Sequence, residues 1–225
     1  LTTYTTLADA SLAQDKPLTQ SNVRALRDNP LAIAEATSGA PAISGVNPGT
    51  VQTASASATL TFTNLPTKDL IEFELISLKP ATSGAVLQMQ VSTNNGSSWV
   101  TNYSYAKRIS EVSTGGVASS TQEGEYTGTK VDLSQTSGGV NNGSNNPLCG
   151  VVQLFSAGST TLVKQLTWSC THANNTSSGI AFVSGGGFVG VATSSQINAV
   201  KFYFSSGNIT NGSIAMRSRR NTATN

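Results

Sequence analysis

From about Thr50 to the end of the chain, apolar side chains recur at every second position and no stretch carries a helical period. In Leu70–Ile76 the residues Ile71, Phe73 and Leu75 alternate with Glu72 and Glu74, the pattern of a strand with one buried and one wetted face. Similar runs are Leu60–Phe62, Val86–Val91, Trp99–Tyr105, Gly124–Leu133, Gly150–Phe155, Leu162–Cys170, Ile180–Val183, Phe188–Val191, Ala199–Phe204 and Gly212–Arg217. About ten short strands separated by polar turns predict an all-β fold, an antiparallel jelly-roll-like sandwich. Asn94-Asn95-Gly96 lies between two of these runs and predicts a hairpin joining Val86–Val91 to Trp99–Tyr105.

The segment before Thr50 reads differently. Thr19 is a suitable N-cap for a helix in which Val23 and Leu26 share a face, and Pro30 is expected to stop it, with a second short turn over Leu31–Glu35. Gly39-Ala40-Pro41 and Gly45–Gly49 punctuate a linker. The chain therefore divides into a helical and extended N-terminal arm, residues 1–49, and a β-sandwich domain, residues 50–225. An arm of this size cannot bury a core by itself, so it must dock on the body or on a partner, with Val23, Leu26 and Ile33 as the docking residues.

At 225 residues and 37% hydrophobic content, the chain holds enough apolar material for one domain plus the arm. Only 11% of residues are charged, and 31 Ser, 29 Thr and 18 Asn supply surface hydration instead. Such surfaces are common on extracellular proteins, adhesins and virus particles. Thirteen basic against eleven acidic side chains leave a net charge of +2, which speaks against nucleic acid as a partner. No run approaches the roughly 20 apolar residues of a membrane span, and Leu1–Asp9 has neither the basic nor the apolar region of a signal peptide, so no membrane insertion is expected.

Groups that perform chemistry are scarce. His172 is the single histidine, placed by the sequence in a polar turn at the surface, and no Gly-x-Ser-x-Gly elbow accompanies it. No Cys-x-x-Cys pair or dense Asp loop offers a metal site, and no glycine loop leading into a helix offers a phosphate site. Glu72 with Glu74, and Glu123 with Glu125, alternate outward along strands rather than converging from separate elements. The expectation is a protein without catalytic residues, metal or cofactor. A turn at Ser156–Thr160 would set Cys149 opposite Cys170, which permits a bridge, although opposed cysteines on neighbouring strands are strained when bridged and two buried thiols are expected. The low-complexity loop Gln135–Pro147 is expected to be exposed, as a solvated connector or a contact held by a partner. Tyr103, Tyr105 and Tyr126 are candidates for glycan contact through stacking on sugars, with sheet packing as the alternative.

Three stretches resemble structural proteins of tailed bacteriophages and prophages. Asn22-Val23-Arg24-Ala25-Leu26-Arg27-Asp28-Asn29-Pro30-Leu31-Ala32-Ile33-Ala34-Glu35, followed by Gly39-Ala40-Pro41, looks like a leader found near the start of such proteins. Leu70–Trp99, with Pro80-Ala81-Thr82 and Ser92-Thr93-Asn94-Asn95-Gly96-Ser97-Ser98-Trp99, resembles their body. Phe204–Ile209 followed by Gly212-Ser213-Ile214 resembles their closing hairpin. Ser92-x-Asn94-x-Gly96-x-x-Trp99 is also similar to the Asp-box turn of sialidases, with Asn94 in place of the usual Asp. The phage resemblance implies a virion protein of fibre, spike or decoration type that docks on capsid, portal, tail or baseplate proteins. It implies a homo-oligomer, trimeric for a fibre or pentameric for a vertex spike, with host attachment through a surface glycan as an accessory role. A carbohydrate-binding or adhesive module is the alternative reading.

Overall fold

A computed structural model describes residues 5–7, 19–34, 46–47, 50–176 and 179–219. The chain forms two compact units, Leu1–Pro48 and Gly49–Asn225.

In the first unit, helix α1 spans Gln20–Ala34 and is followed by a two-residue strand, β1 (Val46–Asn47). Thr19 caps α1: its Oγ1 accepts from the Asn22 amide at 3.2 Å and its carbonyl accepts from the Val23 amide at 3.1 Å. The predicted stop at Pro30 does not occur. The helix runs through the proline and absorbs the segment expected to form a separate turn. Proline removes a single N–H from the helical ladder, and the alanines and leucines on either side favour continuing the helix. Asn29 and Thr5 exchange two hydrogen bonds of 2.9 Å, pinning the turn just before the proline.

The second unit is an antiparallel sandwich. Its strands are β2 (Val51–Thr53), β3 (Leu60–Phe62), β4 (Leu70–Pro80), β5 (Leu87–Ser92), β6 (Tyr103–Val112), β7 (Ala118–Gly128), β8 (Val131–Asp132), β9 (Leu148–Phe155), β10 (Lys164–Ala173), β11 (Ile180–Val189), β12 (Ala199–Phe204) and β13 (Ile209–Arg219). The larger sheet runs β13-β4-β9-β10-β11-β6-β7, with β2 also on β13, and the smaller runs β3-β12-β5-β8. The alternation in β4 appears as predicted, with Ile71, Phe73 and Leu75 buried and Glu72 and Glu74 half-buried on the other face. Phe73 joins the two sheets: its ring meets Phe62 and Phe202 of the smaller sheet edge-on, each at 5.2 Å between centroids. The three rings belong to one continuous cluster of buried apolar side chains, so closure of the sandwich around Phe73 rests on hydrophobic burial.

Two predicted hairpins are absent. β5 pairs with β12 and β8 in the smaller sheet, whereas β6 pairs with β11 and β7 in the larger, so the Asn94-Asn95-Gly96 turn links two sheets. Ser92 and Asn94 explain the difference. Ser92 Oγ accepts from the amides of Asn94 and Gly96, and Asn94 Oδ1 accepts from the Ser98 amide at 2.9 Å, taking donors that a ladder would have used. β12 and β13 likewise lie in different sheets, so the closing segment is a crossover. The two short runs Ile180–Val183 and Phe188–Val191 are one strand, β11, continuous through Gly185-Gly186-Gly187. The inward glycines make room for aromatic rings: a side chain at Gly185 would enter the Trp168 ring, and one at Gly187 would meet Tyr105.

The cysteines are offset by one residue from the predicted pairing. Cys149 faces Thr171 and Cys170 faces Gly150, because the connection from Phe155 to Lys164 is longer than the turn expected at Ser156–Thr160. A one-residue slip moves a side chain to the opposite face. Cys170 is therefore buried, Cys149 is exposed rather than buried, and both are free thiols. Burial pushes the Cys170 thiol up to about 12, so it stays protonated and inert.

Candidate functional site

The inward face of β6 carries Tyr103, Tyr105, Lys107 and Ile109, three large side chains expected of a core and one lysine. Lys107 is almost entirely buried. Its ammonium donates to the carbonyls of Asp132 (3.2 Å) and Ser134 (2.5 Å) and to Thr136 Oγ1 (3.1 Å), and it lies 3.0 Å from Glu123 Oε2. Register delivers Glu123, since β7 sets it directly opposite Lys107 and sets Glu125 opposite Tyr105. Tyr105, Lys107, Glu123, Glu125, Asp132 and Thr136 line a polar cleft between the β6–β7 edge and the segment following β8.

The electrostatics of the cleft favour a fixed ion pair. Partial burial pushes the Glu123 carboxyl up, but hydrogen bonds from Thr136 and Lys107 outweigh it and hold the group below its ordinary value. It is an anion at neutral pH and has no proton to give as a general acid. Four acceptors surround Lys107 Nζ, so its donors are all directed to fixed partners within the chain. Burial likewise raises the Tyr105 hydroxyl, whose oxygen accepts from the Asp132 amide at 3.3 Å. Gln88 Nε2 donates to Asp132 Oδ1 at 2.8 Å, extending the network into the smaller sheet. The arrangement can brace the β6–β7 edge against the smaller sheet. Among the described residues, no group of three or more His, Cys, Asp or Glu side chains is placed to hold a metal, and no helix is long and apolar enough to cross a membrane.

The predicted glycan tyrosines separate. Tyr103 is fully buried, its hydroxyl oxygen accepting from the Val91 amide at 2.8 Å, and Tyr105 packs edge-on against Trp168 at 5.8 Å. Neither can stack on a sugar, because the alternation that fills the core includes them. Tyr126 is 87% exposed. It sits where the β6–β7 register shifts between Tyr103 and Tyr105, beside Thr127 at φ 63°, a bulge that turns its ring outward. The docking candidates Val23 and Leu26 are both more than half exposed on α1. Ile33 belongs to α1, but its side chain lies outside the described residues.

His172 is not a surface residue. β10 continues to Ala173, and the inward phase of Leu166, Trp168 and Cys170 carries on to His172, which is 2% exposed. Its Nδ1 lies 3.1 Å from the Ala173 carbonyl, and Nε2 has no partner among the described residues. Burial lowers its pKa below the ordinary 6.5. As pH falls the unfolded chain therefore takes up this proton first, so stability is full above the ordinary value and declines below it. The expected loss is roughly 1.4 kcal/mol per pH unit below ~6.5 until the folded-state value is reached. Urea unfolding at several pH values should show this decline in wild type and a shallower one in His172→Gln; parallel declines would exclude His172 as the group responsible.

The loop Gln135–Pro147 is tied to its own chain at Val140 and Gln135. Val140 is buried, donating to Ala85 O and accepting from the Gly84 amide at 2.9 Å each, and Asn174 Nδ2 donates to Gln135 Oε1 at 2.8 Å. Lys107 went unnoticed in the sequence, and the run Gly124–Leu133 merges the end of β7 with β8 and omits the start of β7. A lysine at an inward phase of β6 was the available signal, whereas β7 is an edge strand whose polar residues give no apolar alternation. Compared with protein-family models, with curated proteins and with solved structures, the chain matches none.

Proposed function

We propose that this chain is a non-enzymatic structural protein of a bacteriophage virion, anchored by its N-terminal arm and projecting the sandwich as part of a fibre, spike or decoration. The observation that carries the docking role is α1, a 15-residue helix outside the sandwich unit with Val23 and Leu26 more than half exposed. A helix with this much uncovered apolar surface gains stability by burying it on a partner. The resemblance of Asn22–Glu35 and Leu70–Trp99 to phage structural proteins supplies the particle assignment. The polar cleft supports the non-enzymatic reading, since its lysine is saturated with acceptors and Glu123 is held as an anion. Of the aromatic residues behind the carbohydrate-binding alternative, Tyr126 alone remains available, and one ring does not make a sugar platform. The test is incorporation into particles by the full chain carrying Val23→Glu and Leu26→Glu, set out at the end of the Discussion.

A further inference from the structure

The outer face of the smaller sheet brings Trp99, Lys201 and Tyr203 together. In β12 the alternation buries Val200, Phe202 and Phe204 and turns Lys201 and Tyr203 outward, both half-buried. Register places Lys201 between Gln90 of β5 and Thr61 of β3. Trp99 reaches the same face from the turn after β5, its ring beside Gly96, whose φ of 89° suits glycine. The ammonium of Lys201 stands over both rings, 4.5 Å from the Trp99 centroid and 5.2 Å from that of Tyr203. Gln90 is fixed beside them: its Nε2 donates to the Thr129 carbonyl at 2.9 Å, and its Oε1 accepts from the Tyr203 hydroxyl at 3.4 Å.

Charge sets this face apart. The ammonium of Lys164 donates to the carbonyls of Ser159, Leu162 and Thr193, and that of Lys107 is likewise surrounded by oxygens. Among the described residues, Lys201 has neither a carboxylate at salt-bridge distance nor a hydrogen-bond acceptor, and the two rings are its partners. Aromatic faces attract a cation but offer its N–H groups no oxygen.

We propose that Trp99, Lys201, Tyr203 and Gln90 form a binding site for a carboxylated saccharide of the hexuronate or sialate class. The carboxylate pairs with Lys201 beside the two rings, where aromatic surface excludes water and makes the pair stronger than one on an open surface. The apolar C–H face of the sugar ring lies on the uncovered part of the aromatic side chains. Its hydroxyls meet Gln90 and Thr61, whose side chains both donate and accept. A single ammonium on a chain of net charge +2 does not match the repeated phosphates of a nucleic acid. An acidic peptide would use the ammonium without needing the rings. The site lies wholly within the sandwich, on residues other than Tyr103, Tyr105 and Tyr126, and adds a role that does not depend on docking by the arm.

Titration of the full chain with two acidic probes, trigalacturonate and sialyllactose, tests the proposal. The methyl-esterified trimer and lactose are the neutral counterparts, and triglutamate is the peptide control. Tryptophan fluorescence is the readout, because Trp168 is buried and Trp99 lies in the site. The expected result is saturable binding of at least one acidic probe and binding about tenfold weaker, or less, for its neutral counterpart. Lys201→Gln should weaken the acidic probe about tenfold or more, whereas Lys201→Arg should retain most of the affinity. Circular dichroism and melting temperature show that each variant is folded. Failure of both acidic probes to saturate at millimolar concentration overturns the site. Binding that Lys201→Gln leaves unchanged lies elsewhere on the chain and overturns it too. Equal affinity for the neutral counterpart would show that the charge is not read, and triglutamate bound as tightly would make the occupant an acidic peptide; either result overturns the carboxylated saccharide. Each of these outcomes leaves docking by the arm to the particle measurement.

Discussion

Replacing Lys107 with Met is expected to destabilise the sandwich by about 3–5 kcal/mol, the range for removing one member of a buried ion pair. Methionine keeps the apolar stem but leaves the Asp132 and Ser134 carbonyls without the lysine donor and Glu123 without its counter-charge. The Glu123 side chain is about a quarter exposed and can recover some hydration, which places the effect toward the lower end. Glu123→Gln should cost less, about 1–2 kcal/mol, since Lys107 retains its two carbonyls and Thr136. Because the residues touch, the double variant should be less damaged than the two single losses added together. Urea unfolding of the four proteins provides the cycle. A Lys107→Met loss within about 0.5 kcal/mol of zero would show that the network does not brace the edge.

Phe73→Ala should be comparably damaging, at about 3–5 kcal/mol. The side chain is fully buried and lies between Phe62 and Phe202, so truncation opens a cavity at the seam and removes two edge-on ring contacts. The seam cannot simply collapse, because β4 is held between β13 and β9 while Phe62 and Phe202 belong to the other sheet. Phe73→Leu should recover a large part of the loss by refilling volume. Thermal unfolding of both variants measures the difference, and equal melting temperatures for Phe73→Ala and wild type would refute this account of the core.

The strands were legible wherever one face is apolar. β4 and β12 alternate plainly, and Thr19 announces the start of α1 through its capping oxygen. Strand pairing was less legible, because it depends on contacts distant in sequence. Asn94-Asn95-Gly96 has the local chemistry of a hairpin, yet Ser92 and Asn94 satisfy its backbone internally and send the chain to the other sheet. Glycine had a similar effect in β11, where Gly185 and Gly187 hide a continuous strand by yielding their space to Trp168 and Tyr105.

The candidate surfaces divide along the same line. Val23 and Leu26 were visible as a pair on one helical face, a local property. The outward apolar row was not, since Val112 and Ile180 become neighbours only through the pairing of β6 with β11. Tyr103 and Tyr105 follow the alternative that the sequence left open for them, sheet packing, since in β6 they share the inward phase with Ile109. Lys107 occupied that same phase. A lysine in an apolar register is visible in the sequence, but its four acceptors come from β7, β8 and the segment beyond them.

The central claim is that the arm fixes a catalytically silent sandwich to a particle. The most direct measurement is the number of copies per purified virion, by quantitative mass spectrometry, for the wild-type full chain and for the full chain carrying Val23→Glu and Leu26→Glu. Both substitutions fall on exposed positions, so the sandwich should remain folded, which circular dichroism verifies. Wild type is expected at a constant copy number set by the symmetry of the particle, and the variant is expected to be lost from it. A variant retained at the wild-type copy number, or a wild-type chain absent from purified virions, would contradict the account.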